Sequence, residues 1–235
     1  MNFNKFVVFD LETGSASPQK AEIIEVAAAA LDRKTLKVID TIELKMRPED
    51  MEAVEDGALQ VTGFIRSEVE KYPATSVVWP TFVNWINKHN TSKGNPSPYN
   101  APIACGYNII GYDIPIIRRY CKKYKTAWDD KREDQKLFNQ IYMFDVLHHL
   151  HFWFENLPIE NLKLTTIRQY MGFSEESIGS AHRALPDVLD TAKIVTKLIG
   201  LQRWMTAEVD ELDLTGNKTG KRKRRMEMKD CMKNV

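Results

Sequence analysis

The sequence predicts an α/β domain built on a mixed β-sheet, and two observations lead to this fold class. Three strand-like segments follow one another near the N-terminus, which is typical of strands that pair antiparallel. From about residue 102 onward, short apolar strands alternate with amphipathic helices, the pattern of parallel strands joined through helices. Together these patterns favour a sheet that is partly antiparallel and partly parallel.

The N-terminal strands are predicted from residue type and from the points at which the apolar runs stop. Residues 5–12 are rich in β-branched and aromatic side chains and are followed by the breaker "TGSASP". Residues 22–31, "EIIEVAAAAL", form the second predicted strand, although their four alanines also suit a helix. Residues 36–46, "LKVIDTIELKM", alternate imperfectly and are predicted as the third strand.

The later elements are predicted from helical spacing and from stop signals such as Gly63 and Gly172. Helices are expected within 47–64, 75–90, from about 113, within 161–173 and within 185–200, with a strand at 102–108 and a strand that enters a helix at 141–150. The residues expected to face inward are Val78, Phe82, Trp85 and Ile86, then Ile116, Ile117 and Tyr120, then Leu164, Ile167 and Tyr170, and then Val188, Leu189, Ala192, Val195 and Ile199. The aromatic residues of "HHLHFWF" are expected in the core, with the histidines on the surface.

Composition limits the class of protein and its location. The chain has 235 residues, of which 43% are apolar, and a formal net charge of +1, so one globular domain is expected and the net charge alone does not indicate a nucleic-acid binder. We divide it into a domain at 1–204 and a basic tail at 205–235 that carries "KRKRR". Because neither a signal peptide nor a membrane-spanning run is apparent, we expect no membrane association and a cytoplasmic location, or a nuclear one in a eukaryote.

An acidic pair stands at the end of the first strand. Asp10 and Glu12 project from the same side of that strand, about 7 Å apart. Taken alone, they also fit two solvated carboxylates at a strand end. Asp113 stands where a strand gives way to a helix, and Asp187 lies in the first turn of the last predicted helix, where helix capping and the helix dipole offer structural explanations. His182 precedes Asp187 in a predicted loop, and a solvent-exposed histidine is the alternative there.

Three segments together resemble the motifs of a known family. "FDLETG", "YNIIGYD" and "HRALPD" resemble, in order, the three motifs of the DnaQ-like 3′-to-5′ exonucleases, in the subclass with four acidic residues and a histidine (DEDDh). The resemblance covers roughly residues 5–200. It implies an RNase H-like fold, in which a mixed five-stranded sheet is flanked by helices.

The resemblance also implies catalytic roles. Asp10, Glu12 and Asp187 would bind one Mg²⁺ or Mn²⁺, while Asp10 would bridge to a second ion that Asp113 helps to hold. His182 would act as the general base, because a neutral-range pKa suits proton abstraction from water near pH 7. Without bound cations such a carboxylate cluster is costly, since each like-charged pair about 4.5 Å apart repels by roughly 3–4 kcal/mol at an effective dielectric constant near 20.

Substrate contacts are implied for the residues between the acidic ones. Leu11 and Thr13 would contact the terminal nucleotide, and Asn108 is a further candidate. The second motif departs from the family, with Tyr107 where many members have His and Tyr112 where Phe is usual. These departures affect the substrate contacts rather than the reaction.

The function expected is removal of nucleoside 5′-monophosphates from 3′ ends of single-stranded DNA. The alternatives are a 3′-to-5′ exoribonuclease similar to RNase T or oligoribonuclease, a proofreading subunit attached to a polymerase, and a non-catalytic module that binds nucleic-acid ends. The expected partner is nucleic acid with a free 3′ end, more DNA than RNA, with a polymerase or a second copy of the chain as protein partners to consider. The tail is either an anchor for nucleic acid, a nuclear address or a solvated segment, and Asp145 is expected to be structural.

Overall fold

The structure, a computed structural model, describes residues 5–91, 99–173 and 184–210, with side chains up to residue 205. The strands are β1 (Phe6–Thr13), β2 (Ile23–Leu31), β3 (Val38–Lys45), β4 (Ile103–Gly106), β5 (Trp128–Asp129), β6 (Asp134–Gln135) and β7 (Met143–Asp145). The helices are α1 (Asp56–Thr62), α2 (Arg66–Val69), α3 (Thr75–Asn87), α4 (Asp113–Lys123), α5 (Val146–Phe154), α6 (Leu164–Tyr170) and α7 (Ala184–Asp210).

Five of the described strands form one mixed sheet in the order β3-β2-β1-β4-β7. The β1–β2 and β2–β3 pairs are antiparallel, whereas β1–β4 and β4–β7 are parallel. The predicted fold class, an α/β domain with an RNase H-like five-stranded mixed sheet and flanking helices, is thus confirmed. The short strands β5 and β6 form a separate hairpin that the sequence did not predict.

The alanine run belongs to a strand because β2 is paired along both edges. Each of its residues is buried, and the run hydrogen-bonds to β1 on one side and to β3 on the other. In the β1–β2 register Ala27 lies opposite Asp10, and Glu25 lies opposite Glu12. The register shifts between Glu12 and Thr13, an irregularity of the kind that re-aims side chains at the end of a strand.

The main core lies on one face of the sheet. Val7, Phe9 and Leu11 of β1 belong to it, and they cluster there with α3 and α4, whose buried residues include Trp79 and Tyr120. Strand side chains alternate between faces, so Asp10 and Glu12 point to the other side of β1. The acidic pair therefore faces away from the hydrophobic core although it lies in the middle of the sheet.

Most of the predicted inner faces are confirmed. Val78, Phe82, Trp85 and Ile86 are buried in α3, and Ile116, Ile117 and Tyr120 are buried in α4. The corresponding buried residues of α7 are Val188, Ala192, Val195 and Ile199, while Leu189 is half-buried. Gly63 and Gly172 follow α1 and α6 with positive φ angles, as expected of helix stops.

Other predicted details are wrong. Tyr170 is exposed, and Arg168 is buried on the inner side of α6 instead, because positions 164, 167 and 168 share one helical face. Phe152 and Trp153 are exposed and Phe154 is half-buried, so the aromatic residues of α5 are not in the core as expected. Helix α1 occupies only the later part of the predicted range 47–64, from Asp56, and α7 continues beyond its predicted range of 185–200, to Asp210.

The chain falls into two compact units, Met1–Ala192 and Lys193–Val235. The sheet, α1 to α6 and the first turns of α7 belong to the first unit. The predicted division into 1–204 and a basic tail stays a prediction, and "KRKRR" lies outside the described residues. Within the described part of the chain, no helix has the length and apolar character that crossing a bilayer requires.

Candidate active site

Three carboxylates from two distant parts of the chain meet beside β1. Asp10 and Glu12 come from the carboxyl-terminal half of this strand, and Asp187 comes from the first turn of α7. Each offers an oxygen, and these oxygens all lie within 4.8 Å of one another. The structure therefore brings together three of the four predicted acidic residues at a spacing that one cation can bridge.

Burial and mutual repulsion favour the protonated forms of the carboxyl groups of Asp10 and Glu12. Burial, with the neighbouring Asp187 carboxylate, raises the pKa of Asp10 from 3.8 to about 7. Burial, then Asp10 and Asp187, raises the pKa of Glu12 from 4.5 to about 8. The ionised forms are thus disfavoured where no cation offsets the charge, which is the electrostatic character of a metal site and of many catalytic sites.

Asp113 lies next to this trio rather than within it. It is the first residue of α4, it is 3% exposed, and its Oδ1 accepts a hydrogen bond of 3.1 Å from the backbone amide of Leu11. Burial, followed by the charge of Asp10, raises the pKa of Asp113 well above its usual range. This bond occupies the backbone amide of Leu11. The contact of Leu11 with a nucleotide stays a prediction.

A further carboxylate at the site was missed in the sequence. Glu25 is 2% exposed and lies opposite Glu12 in the β1–β2 register, and its charge raises the pKa of both Asp10 and Glu12. The sequence did indicate it, because Glu25 is a charged residue within an otherwise apolar stretch of the second predicted strand. The alternation of strand faces places it on the acidic side only when the pairing with β1 is known.

A buried guanidinium faces the same acidic group. Arg168 of α6 is 1% exposed, and its Nη2 donates a 2.5 Å hydrogen bond to Oδ1 of Asp187. Its Nε lies 3.1 Å from Oδ2 of Asp190, one turn further along α7. The sequence carried the corresponding signal, since a basic residue falls on the inner face of a predicted helix.

The turn after β4 is fixed by Asp145. Asp145 caps α5 through the amide of Leu147, and its two carboxylate oxygens also accept the amides of Asn108 and Ile110. Asn108, whose side chain is exposed, has a positive φ of 60°. The structural role expected for Asp145 is therefore visible, because it holds the loop that leads into Asp113.

Hydroxyl groups organise the chain that follows β1. The hydroxyls of Thr13 and Tyr112 lie within hydrogen-bonding distance of each other and of the carbonyl oxygen of Ser15, and with one proton each they can form two of these three bonds. Tyr107 donates to the carbonyl of Leu162. The two tyrosines that depart from the family pattern thus tie the second motif to neighbouring segments. Nucleotide contacts by Thr13 and Asn108 stay predictions, and His182 lies outside the described residues.

The side chains present fit a hard divalent cation. Magnesium and manganese prefer oxygen ligands, and the grouped side chains are carboxylates whose pKa values are raised by burial and then by the neighbouring negative charges. The cysteines of the described chain, Cys105 and Cys121, are buried free thiols in the sheet and in α4, and they do not belong to this group.

The comparison with known proteins identifies the family. The model of the RNase_T family, described as "Exonuclease", matches residues 7–195. A DNA polymerase III of PolC type from Caldanaerobacter subterraneus subsp. tengcongensis is 26% identical over 195 residues, which cover 83% of this chain and 12% of the polymerase.

Solved structures show the same fold. Zinc-bound E. coli ExoI in complex with single-stranded DNA has a TM-score of 0.66 at 17% identity, over 88% of this chain and 43% of that one. Cell-death related nuclease 4 (CRN-4) has a TM-score of 0.62 at 18% identity, over 85% of this chain and 65% of that one. The chain thus spans less than half of the polymerase and of ExoI. With a family match over most of its length, it belongs to the RNase_T exonuclease family, the DnaQ-like nucleases that its three motifs resemble.

Proposed function

We propose that this protein is a metal-dependent exonuclease that removes nucleotides one at a time from the 3′ ends of single-stranded DNA. The observation that carries this proposal is the convergence of Asp10, Glu12 and Asp187, whose oxygens lie within 4.8 Å of one another in a chain of this family. Such a group of carboxylates, of which Glu12 is buried and Asp10 and Asp187 are half-buried, is electrostatically unfavourable unless cations or protons offset its charge.

The carboxylates would hold two Mg²⁺ or Mn²⁺ ions. Asp10, Glu12 and Asp187 would bind the first ion, and Asp10 together with Asp113 would bind the second. When bound, the two ions supply positive charge that stabilises the scissile phosphate and the departing 3′ oxygen. The buried position of Asp113 next to Asp10 supports its place in the second site.

The remaining chemistry belongs to the protein's own side chains. His182 would take the proton from the attacking water, since the pKa of an ordinary histidine lies near neutrality. Leu11 and Thr13 adjoin the acidic residues of β1 in sequence, and by the family resemblance they would contact the terminal nucleotide. Asn108, exposed in the turn that Asp145 fixes, would contact the substrate from the end of the neighbouring parallel strand β4. The product would be a nucleoside 5′-monophosphate.

Single-stranded DNA is the proposed substrate because of two related proteins. The structurally similar ExoI was solved in complex with single-stranded DNA, including a dA16 oligonucleotide, and the sequence relative is a DNA polymerase. The acidic residues themselves serve cleavage of either DNA or RNA. The exoribonuclease alternative is therefore an outcome of the same experiment.

The test is an exonuclease assay on matched substrates. DNA and RNA oligonucleotides of the same sequence, labelled at the 5′ end, are incubated with protein and Mg²⁺ or Mn²⁺. We expect a ladder of shortening DNA products that EDTA abolishes and that Asp10→Asn reduces at least 1000-fold, because Asp10 contributes to both proposed ion sites. Glu52→Gln, which removes an exposed carboxylate far from β1 in sequence, is the control and should leave the ladder unchanged.

The outcomes separate the alternatives. A faster ladder on RNA would change the substrate to RNA while keeping the reaction. Binding to 3′ ends without shortening, in either metal, would identify an end-binding module and would overturn the proposal. A His182→Ala protein with unchanged turnover would remove the general-base assignment alone.

A further inference from the structure

We propose that Arg168 is a positioning residue that fixes the carboxylate of Asp187 for metal binding, with Asp190 holding the guanidinium in place. This inference rests on the proposed metal site. It concerns a residue outside the three motifs that indicated the family.

The first observation is the geometry of the ion pairs. The guanidinium of Arg168 spans two carboxylates on successive turns of α7, with 2.5 Å from Nη2 to Oδ1 of Asp187 and 3.1 Å from Nε to Oδ2 of Asp190. The hydrogen bond to Asp187 and the close ion pair with Asp190, in which Nε makes no hydrogen bond, together restrict the rotation of the planar guanidinium fork. Asp187 is consequently held from the side of α6.

The second observation is burial. The Arg168 side chain is 1% exposed and that of Asp190 is 5% exposed. A guanidinium at this depth is not placed to bind a phosphate of the substrate from solvent. Its carboxylate partners are what make its burial tolerable, because an unpaired buried charge is strongly unfavourable.

The third observation is that Asp187 faces the other carboxylates while it is paired with Arg168. The guanidinium contacts Oδ1 of Asp187, and a carboxylate oxygen can accept from a donor and bind a cation at the same time because it has two lone pairs. Asp187 still contributes an oxygen within 4.8 Å of those of Asp10 and Glu12. The guanidinium is also close enough for its charge to lower the pKa of Asp10.

These features match the way outer partners act on metal ligands. A group that hydrogen-bonds to a ligand orients it, and its loss typically weakens metal affinity or activity by about 10- to 100-fold. Replacement of Arg168 should therefore leave the ligands in place but free Asp187 to rotate. The cost should appear in metal binding rather than in substrate binding.

The experiment measures Mn²⁺ affinity by calorimetry on the full chain, without nucleic acid. Arg168→Met should bind Mn²⁺ about 10-fold or more weakly, and Arg168→Lys, which keeps the charge but loses the fork, should be intermediate. The double variant Arg168→Met with Asp190→Leu also removes the carboxylate that loses its guanidinium in the single variant, so it tests the proposal if Arg168→Met fails to fold. It should show the same loss of affinity.

The control is Arg119→Met, which breaks a guanidinium–carboxylate pair with Glu22, 3.3 Å apart, outside the acidic trio. It should keep wild-type Mn²⁺ affinity even if its melting temperature falls. In nuclease assays, the Arg168 variants should need more Mn²⁺ for half-maximal activity, with the KM for DNA unchanged.

Three results would overturn the role of Arg168. Unchanged Mn²⁺ affinity would leave only a structural ion pair, and tighter binding would make the guanidinium a competitor of the ion. A raised KM for DNA at saturating Mn²⁺ would make Arg168 a substrate contact. Wild-type protein that binds no Mn²⁺ would instead overturn the metal site itself, and with it the proposed function.

Discussion

At the level of single residues, the space around Asp10 depends on the two strands that flank β1. On one side its strand partner is Ala27, a small residue that adds little bulk beside the carboxylate. On the other side of β1, the parallel strand β4 approaches it closely at Gly106. This position has no room for a Cβ atom. A Cβ built there would lie 2.3 Å from Cγ2 of Ile109 and 2.8 Å from the carbonyl oxygen of Phe9.

Gly106→Ala should therefore be destabilising although alanine is the smallest possible addition. The new methyl group would meet the backbone of Phe9, which cannot move without shifting β1. We therefore expect a loss of about 2–3 kcal/mol in the free energy of unfolding. Urea denaturation measures it. Gly57→Ala is the matched control, because it lies inside α1 with nothing within 4 Å of the new carbon, and alanine favours the helix by up to about 1 kcal/mol. Equal stability of the two variants would contradict the close approach.

Glu25 gives a second prediction at the level of one side chain. Because its charge opposes the ionisation of Asp10 and Glu12, Glu25→Gln should raise the melting temperature of metal-free protein at pH 8.5 by several degrees. It should also weaken Mn²⁺ binding several-fold, since one attractive charge is lost. Differential scanning calorimetry with and without Mn²⁺ measures both. Glu43→Gln, an exposed carboxylate on neighbouring β3, should change neither.

At the level of elements, the site lies where β1, β4 and β7 end in the same direction. The parallel pairing of these strands brings the loop after β4 and the start of α5 to the edge that carries the acidic residues. Ligands of α/β proteins commonly bind outside the carboxyl ends of such strands. Asp145 connects the two elements, because it caps α5 and also holds the backbone amides of the turn before α4.

Asp145→Ala should leave three backbone amides without their acceptor. Since a buried unpaired donor costs about 1–3 kcal/mol, the free energy of unfolding should fall by at least 2 kcal/mol, and nuclease activity should fall as the turn before Asp113 loosens. Asp145→Asn, which keeps an accepting oxygen, should lose roughly half as much. Chemical denaturation and the exonuclease assay measure the two effects. Asp50→Ala, which removes an exposed carboxylate that accepts two amides in a surface turn, is the control and should change stability by less than about 1 kcal/mol.

The elements also show what sequence patterns can and cannot predict. The strands, the mixed sheet and the inner faces of α3 and α4 follow from residue type and period, which are local properties. The inner face of α6 was mistaken because Tyr170 is apolar enough to suit the pattern, whereas burial of Arg168 depends on carboxylates of α7. The alanine strand was ambiguous because its own residue types suit a strand and a helix equally, and its hydrogen bonding to β1 and β3 decides for the strand.

At the level of the whole molecule, the site likewise combines residues that local motifs predict with residues that only the tertiary fold places. Motif spacing named Asp10, Glu12, Asp113 and Asp187, and the fold brings three of them together with the fourth alongside. Glu25 could not be placed without the β1–β2 register, and Arg168 could not be placed without the packing of α6 near α7. Tertiary pairing therefore adds charges that no single motif contains, and these charges modify pKa values that burial raises most.

The stability of the metal-free protein should consequently fall as pH rises. The pKa values of Asp10 and Glu12 are about 7 and 8 in the fold against ordinary values of 3.8 and 4.5, so the folded state binds protons that the unfolded state has released. Their stabilising contribution is complete below about pH 4 and is lost as pH rises through about 7 to 8. We expect the melting temperature in EDTA to fall by several degrees between pH 5.5 and 8.5.

Metal should reverse this dependence, because cations bind the deprotonated carboxylates and only in the folded state. With excess Mg²⁺ or Mn²⁺, the melting temperature should stay level or rise over the same interval, and metal affinity should increase with pH. Asp10→Asn, which cannot ionise, should show a shallower fall in EDTA and a much smaller response to metal, whereas Glu52→Gln should follow the wild-type curves. Parallel melting curves of the wild type and Asp10→Asn across this pH range would contradict the buried acidic cluster as the source of the effect.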